Sequence, residues 1–198
     1  MNTDLTEIAN VLDRSGSMAD MAKEAIGGYN AFLQSQKQLS GEAKLTVVLF
    51  DHEIIVEYDS CPIKEVASLT EHSYVPRGTT ALLDAIGRTI NTIGERLDRT
   101  PESDRPGKVL IVMLTDGLEN ASQEFKSEQI FEMIKHQRET YAWEFLFLGA
   151  NQNAIQVGTH MGVAPTSAVT FDGAPGGAAR AFEAIACAAS AYRADEVD

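Results

Sequence analysis

Two cysteines, one tryptophan and four histidines in 198 residues close several routes at once. Cys61 and Cys187 stand far apart and without companions, so a disulfide framework or a zinc knuckle is excluded, and they read as incidental or buried free thiols. His52, His72, His136 and His160 are scattered without ligand spacing, which leaves zinc, a metal that prefers nitrogen and sulfur donors, no legible site. No run of about 18 apolar residues is present to span a bilayer, and Met1 to Glu7 lack the basic start and apolar stretch of a secretory signal. These features predict a cytoplasmic chain. Positive charge is scarce as well: 16 Lys and Arg against 29 Asp and Glu leave a net −13. With no basic run to offset it, such a surface disfavours nucleic acid and anionic membrane as partners and favours cations.

What is present is enough for a core. Hydrophobic residues make up 44% and charged residues 23%, which are globular values. The length suits one α/β domain, since domains of about 100–150 residues are commonest and larger single ones are routine. We take 1–193 as that domain, monomeric by preference, with 194–198 as a flexible acidic tail. Thr6 to Leu12, Leu45 to Phe50, Val109 to Leu114, Trp143 to Leu148 and Ala168 to Phe171 read as strands. The near-continuous apolar runs among them suit strands covered by helices on both faces. Ile54 to Tyr58 follows Phe50 after too few residues for a parallel crossover, so it should pair antiparallel at an edge.

Between the strands, apolar residues recur at three and four. Met18 to Leu33 gives one amphipathic helix that Gly41 closes, and Thr79–Thr80 open a second through Leu97. Ile130 to Ile134 mark a third, Ala154 to Met161 a short one and Ala178 to Tyr192 a last. The pattern predicts a Rossmann-like, doubly wound, mainly parallel six-stranded sheet with one antiparallel edge strand and helices on both faces. In such sheets ligands sit beyond the carboxyl ends of the strands, where the strand order reverses.

Three polar clusters fall at that edge. Asp13-x-Ser15-x-Ser17 puts three oxygen side chains at alternate positions of one tight loop, with Gly16 letting them converge. Thr79 and Thr80 precede the second long helix, and Asp116 follows a buried strand. Each fragment alone is an ordinary turn or N-cap sequence; three at successive strand exits are not. Together they offer carboxylates and hydroxyls to a hard cation, and too few charged groups to fill the six oxygen positions that magnesium takes.

These segments, with Gly78-Thr79-Thr80-Ala81-Leu82-Leu83-Asp84-Ala85 and Leu114-Thr115-Asp116-Gly117, resemble the metal-ion-dependent adhesion site of von Willebrand factor type A domains. Phe147-Leu148-Gly149-Ala150-Asn151 resembles the fifth-strand exit of members of bacterial or phage type. The likeness runs from about Thr6 to Phe171. It implies one magnesium ion, or manganese, held by Asp13, Ser15, Ser17, Thr80 and Asp116, with Thr79 the competing assignment for Thr80. It also implies a protein partner that supplies an Asp or Glu to the metal, and no catalysis. The alternative is a metal-dependent phosphatase or other hydrolase using the same loop. A phosphatase of the haloacid dehalogenase kind would want a second carboxylate where Ser15 stands. A serine hydrolase would want the Gly-x-Ser-x-Gly elbow that Arg14-Ser15-Gly16-Ser17 lacks. Glu119 and Asn120 read as solvated loop residues and Asp84 as an exposed helix residue.

Overall fold

The longest apolar runs become the middle of one sheet and the more polar run becomes its edge. A computed structural model describes residues 1–116, 118–149, 154–171 and 177–194. Its strands are β1 (Asn2–Asp13), β2 (Glu42–Phe50), β3 (Ile54–Pro62), β4 (Pro106–Thr115), β5 (Glu144–Gly149) and β6 (Ala168–Thr170), in the order β3-β2-β1-β4-β5-β6. All neighbours are parallel except β2 and β3, which are antiparallel. Only Asp51, His52 and Glu53 join that pair, a link that permits no crossover. The strand order reverses between β1 and β4, so the two strands that carry Asp13 and lead into Asp116 flank the switch point.

The helices are α1 (Ala22–Lys37), α2 (Leu82–Arg99), α3 (Ser127–Tyr141), α4 (Ala154–His160) and α5 (Gly177–Ala194). Alternate residues of each strand feed opposite faces of the sheet. Ile8, Leu12, Leu45, Leu49, Val112 and Leu114 pack with Tyr29, Phe32 and Leu33 of α1 and Phe182 and Ile185 of α5. Ala9, Val11, Val48, Phe50, Ile111 and Met113 pack with Leu82, Ile86, Ile90 and Ile93 of α2 and Ile130 and Ile134 of α3. Among the described residues no helix is long and apolar enough to cross a membrane.

Two helix starts differ from the periodicity. The turn expected to begin α1 is a separate 3₁₀ segment, Gly16–Met21, within which the Ser17 hydroxyl donates to Asp116. Helix α2 begins at Leu82, two residues after Thr80. The Thr80 N–H is taken by the Asn120 side chain, its carbonyl by the Asn120 and Ala121 N–H groups, and the Ala81 N–H by the Asp51 carbonyl. Helix α1 ends at Lys37, before Gly41, whose φ of +83° turns the chain into β2. Ala194 ends α5, and the rest of the expected acidic tail, 195–198, lies outside the described residues, as do Gly117, Ala150 and Asn151.

Candidate metal centre

Three loops meet at the carboxyl ends of β1 and β4. The Gly16 N–H donates to the Gly78 carbonyl (3.2 Å), which joins the β1 loop to the segment before α2, and Asn120 joins that segment to the loop after β4. Gly78 has φ +66°, and any Cβ there would fall 2.1 Å from Nδ1 of His52, so this position needs glycine both for its backbone and for its space.

Within that frame the sequence-predicted residues come together unequally. Ser15 Oγ and Ser17 Oγ are 3.1 Å apart, and the Ser17 hydroxyl donates to Asp116 Oδ1 at 2.7 Å. Asp13 is wholly buried. Its Oδ1 accepts from the Ser15 N–H (2.7 Å) and its Oδ2 from the Thr115 hydroxyl (2.6 Å), while its own carbonyl accepts from the Tyr74 hydroxyl. Burial pushes the Asp13 carboxyl up to about 6, against the hydrogen bonds from Thr115 and Ser15 and with the charge of Asp116 adding to the rise. Burial raises Asp116 too, less the effect of the Ser17 hydroxyl. Among the described residues no Lys or Arg forms an ion pair with either carboxylate. Thr80 is buried and locked through its backbone, and its hydroxyl has no hydrogen-bond partner among the described residues; Thr79 is exposed.

Sequence reasoning missed the residues that hold these loops. Glu119 accepts from the Leu83 N–H at the start of α2 and from the N–H groups of Ala121 and Ser122, so it ties two loops together. Asn120 does the same at Thr80. Asp84, expected on an exposed helix face, is 6% exposed and accepts the N–H groups of Gln123, Glu124 and Phe125. The signal was an acidic residue on the apolar side of α2, where a free carboxylate would be costly.

Arg14 is the other omission. Lying between two of the predicted ligands, it is buried, and its Nε is 3.0 Å from Asp51 Oδ2, on which Arg77 Nε also converges (2.9 Å). Arg77 reaches Glu53 as well. Asp51, His52 and Glu53 place potential ligand atoms within 4.8 Å of one another. Asp51 there already faces two guanidinium groups, so this cluster carries its own counter-charges.

No protein-family model matches the chain, and no curated protein sequence does. Solved structures do. The vWF domain of the type V pili tip protein Mfa5 from Porphyromonas gingivalis superposes with a TM-score of 0.66 at 12% identity, over 100% of this chain and 99% of that one. Proximal thread matrix protein 1 from the mussel byssus, with a zinc-occupied MIDAS motif, gives 0.65 at 15%, over 93% of this chain and 46% of that one. The manganese-loaded TRAP protein of Plasmodium vivax gives 0.53 at 18%, over 75% and 58%. The chain thus spans the whole pilus-tip domain and about half the mussel protein. Its six-stranded order, its antiparallel edge and these superpositions agree: this chain has the fold of a von Willebrand factor type A domain.

Proposed function

We propose that the chain is a divalent-cation-dependent protein-binding module in which Asp13, Ser15, Ser17, Thr80 and Asp116 hold one magnesium or manganese ion. One observation carries this reading: Ser15 Oγ, Ser17 Oγ and Asp116 Oδ1 form a continuous oxygen line beside a buried Asp13, and no described cation of the protein balances either carboxylate. Hydroxyl and carboxylate oxygens are the donors that hard divalent cations take, about six at a time for magnesium. When bound, the ion would supply an electrophilic position open to a partner's Asp or Glu. The protein groups then divide the work. Asp13 fixes the loop by accepting the Ser15 N–H and the Thr115 hydroxyl, Ser17 and Asp116 stand at the surface end of the oxygen line, and Asn120 fixes the Thr80 backbone.

The zinc and manganese named for two solved neighbours support a divalent cation at this kind of site. The arrangement also supports a non-catalytic role, because the Ser15 and Ser17 hydroxyls face each other, that of Ser17 donates to Asp116, and neither is hydrogen-bonded to a histidine that could act as base. The test is capture of protein partners from a lysate of the source cell, with magnesium and again with chelator, on wild type, Thr80→Ala and Asp116→Ala. Partners should be retained by wild type in magnesium and lost in the other three conditions, with circular dichroism unchanged. Capture that survives chelator and both substitutions would place the binding surface elsewhere.

A further inference from the structure

The opposite end of the sheet is charged in the opposite sense. There β1 and β2 begin, β3 ends, and the last turns of α1 and α5 come up beside them, so that Lys37, Lys44, Lys64 and Arg193 line one pocket of about 280 Å³. Leu5, which also lines it, and Asp13 lie towards opposite ends of β1, about 26 Å apart along the strand. The buried lining residues are Leu5, Ala43, Ile63 and Gln36, and the Gln36 amide is already taken up by Ala186, Ser190 and Arg193. The interior is therefore apolar, with the cations around it: Lys44 and Lys64 are exposed, Lys37 and Arg193 half-buried.

One carboxylate, Glu42, lines the pocket with them. Glu65 follows Lys64 and is exposed, and Glu7 feels the charge of Lys44 but is already held by Arg96. Among the described residues none of the four cations forms an ion pair. Lys37 donates to the Val66 carbonyl (2.7 Å), and Arg193 donates to the carbonyl (2.8 Å) and amide oxygen of Gln36, which leaves further N–H groups on both. Burial pushes the Arg193 guanidinium below its ordinary range, and no described carboxylate offsets it. In the larger cavity alongside, about 890 Å³, Lys108 and Arg193 stand with Asp4 and Glu42, so the charge there is even. A chain of net −13 thus keeps one pocket whose positive charge is not matched by its own acids.

We propose that this pocket docks an acidic segment of a partner protein, with one aliphatic side chain entering it and carboxylates on either side meeting Lys37, Lys44, Lys64 and Arg193. Its volume is at the small end of ligand pockets, about 300–1,000 Å³, which is room for a side chain and not for a large cofactor. A concave pocket does not suit a bilayer surface, and the acidic remainder of the chain repels nucleic acid. The apolar interior holds the segment, and the ring of charge gives specificity and speed of association. The site needs no divalent cation and stands independently of the metal centre.

Capped pentapeptides with a central leucine between pairs of glutamates, glutamines or lysines are the probes, titrated by NMR against the full chain in chelator. The glutamate peptide should bind about tenfold more tightly than the glutamine one, because several individually weak exposed pairs act together, and the lysine peptide should not bind. That advantage should vanish at about 1 M salt, where charges are screened beyond about 3 Å. Amide resonances of Leu5, Ala43 and Ile63 should move, and those of Ser15 and Asp116 should not. Lys44→Glu with Lys64→Glu should abolish binding with circular dichroism unchanged. Lys126→Glu with Lys135→Glu, an exposed pair at α3 that alters net charge equally, should leave it nearly intact. Equal binding of the glutamate and glutamine peptides, or equal loss in both pairs of reversals, would overturn the proposal. So would binding to phosphatidylserine vesicles, and to no peptide, that the Lys44 and Lys64 reversals abolish. A glutamate peptide that binds only when the full chain carries Asp195→Asn, Glu196→Gln and Asp198→Asn would also overturn it, by giving the pocket to the chain's own acidic residues.

Discussion

Asp13 closes β1 and Asp51 follows β2, the neighbouring strand, and both side chains are completely buried at the same edge of the sheet. Their electrostatic situations are opposite. Around Asp51 burial also disfavours the charge, but the Glu53 N–H and the guanidinium groups of Arg77 and Arg14 outweigh it and hold the carboxyl below its ordinary range. Around Asp13 only neutral donors are present, Asp116 is close by, and the carboxyl is driven up to about 6. One site has its counter-charges built in; the other has the oxygens and no cation of its own. The difference is the physical ground for proposing that the Asp13 cluster takes its positive charge from outside, and Arg14, in the same loop as Asp13, serves the neighbour.

The largest effect should come from breaking the closed cluster. Asp51→Ala leaves Arg14, whose side chain is 8% exposed, without its buried counter-charge, and removing one partner of such a pair costs about 3–5 kcal/mol. Chemical denaturation should show that loss in the absence of any cation. The matching change in the open cluster, Asp13→Asn, should leave stability without cation equal to or above that of wild type, because it removes a buried charge that nothing balances. A loss as large as that of Asp51→Ala would erase the contrast.

The two carboxylates should also part company in acid. The folded pKa of Asp13 is raised, so between its unfolded value near 3.8 and about 6 the native state holds a proton that the unfolded chain has lost, and stability without cation gains from this group as pH falls from 7 to 4. Asp51 has a lowered folded pKa, so its contribution is full above the unfolded value and disappears only as pH falls through the folded one, below about 4. Glu7 and Asp116 are raised as well. The Asp13 component is therefore read as the difference between wild type and Asp13→Asn, which should shrink from pH 7 to pH 5. A difference that is flat over that interval would contradict the assignment.

Much of this arrangement was legible in the sequence, and the part that was not has a common cause. The buried runs of β1, β2 and β4 announce themselves because strands covered on both faces have no polar alternation to blur them. The edge position of β3 follows from a three-residue link. The five residues proposed to hold the cation stood out in the sequence because they lie in short local motifs at two strand exits and one helix start. Asp84, Glu119 and Asn120 were misread because their partners lie 36 to 41 residues away, and a carboxylate that accepts three distant backbone N–H groups looks in sequence like any solvated acid. Glu7 shows the same blindness. In the centre of β1 it is held by Arg96, Thr46 and Ser60 from three other elements, and only the fold brings those together.

Smaller effects should sharpen the picture of the open cluster. Thr80→Ala should weaken magnesium binding about tenfold or more, whereas Thr79→Ala should leave it within about twofold, since a lost hydrogen-bonding or ligating oxygen at a charged centre is worth about 1.5–3 kcal/mol and Thr79 is exposed whereas Thr80 is buried. Calorimetric titration of both variants distinguishes them, and a reversed order would move the ligand to Thr79. Smallest of all should be the effect of Glu53→Gln, which removes the exposed partner of Arg77, because solvent screens such a pair; chemical denaturation should show a change far smaller than that of Asp51→Ala.

The most direct test is the unfolding of wild type, Asp13→Asn and Asp116→Asn with and without millimolar magnesium or manganese. A cation that binds only the folded chain should stabilise wild type by about 2.7 kcal/mol at a hundredfold excess over its dissociation constant and leave both variants where they were. If the wild-type curve does not move, or if all three move together, Asp13 and Asp116 do not hold the cation.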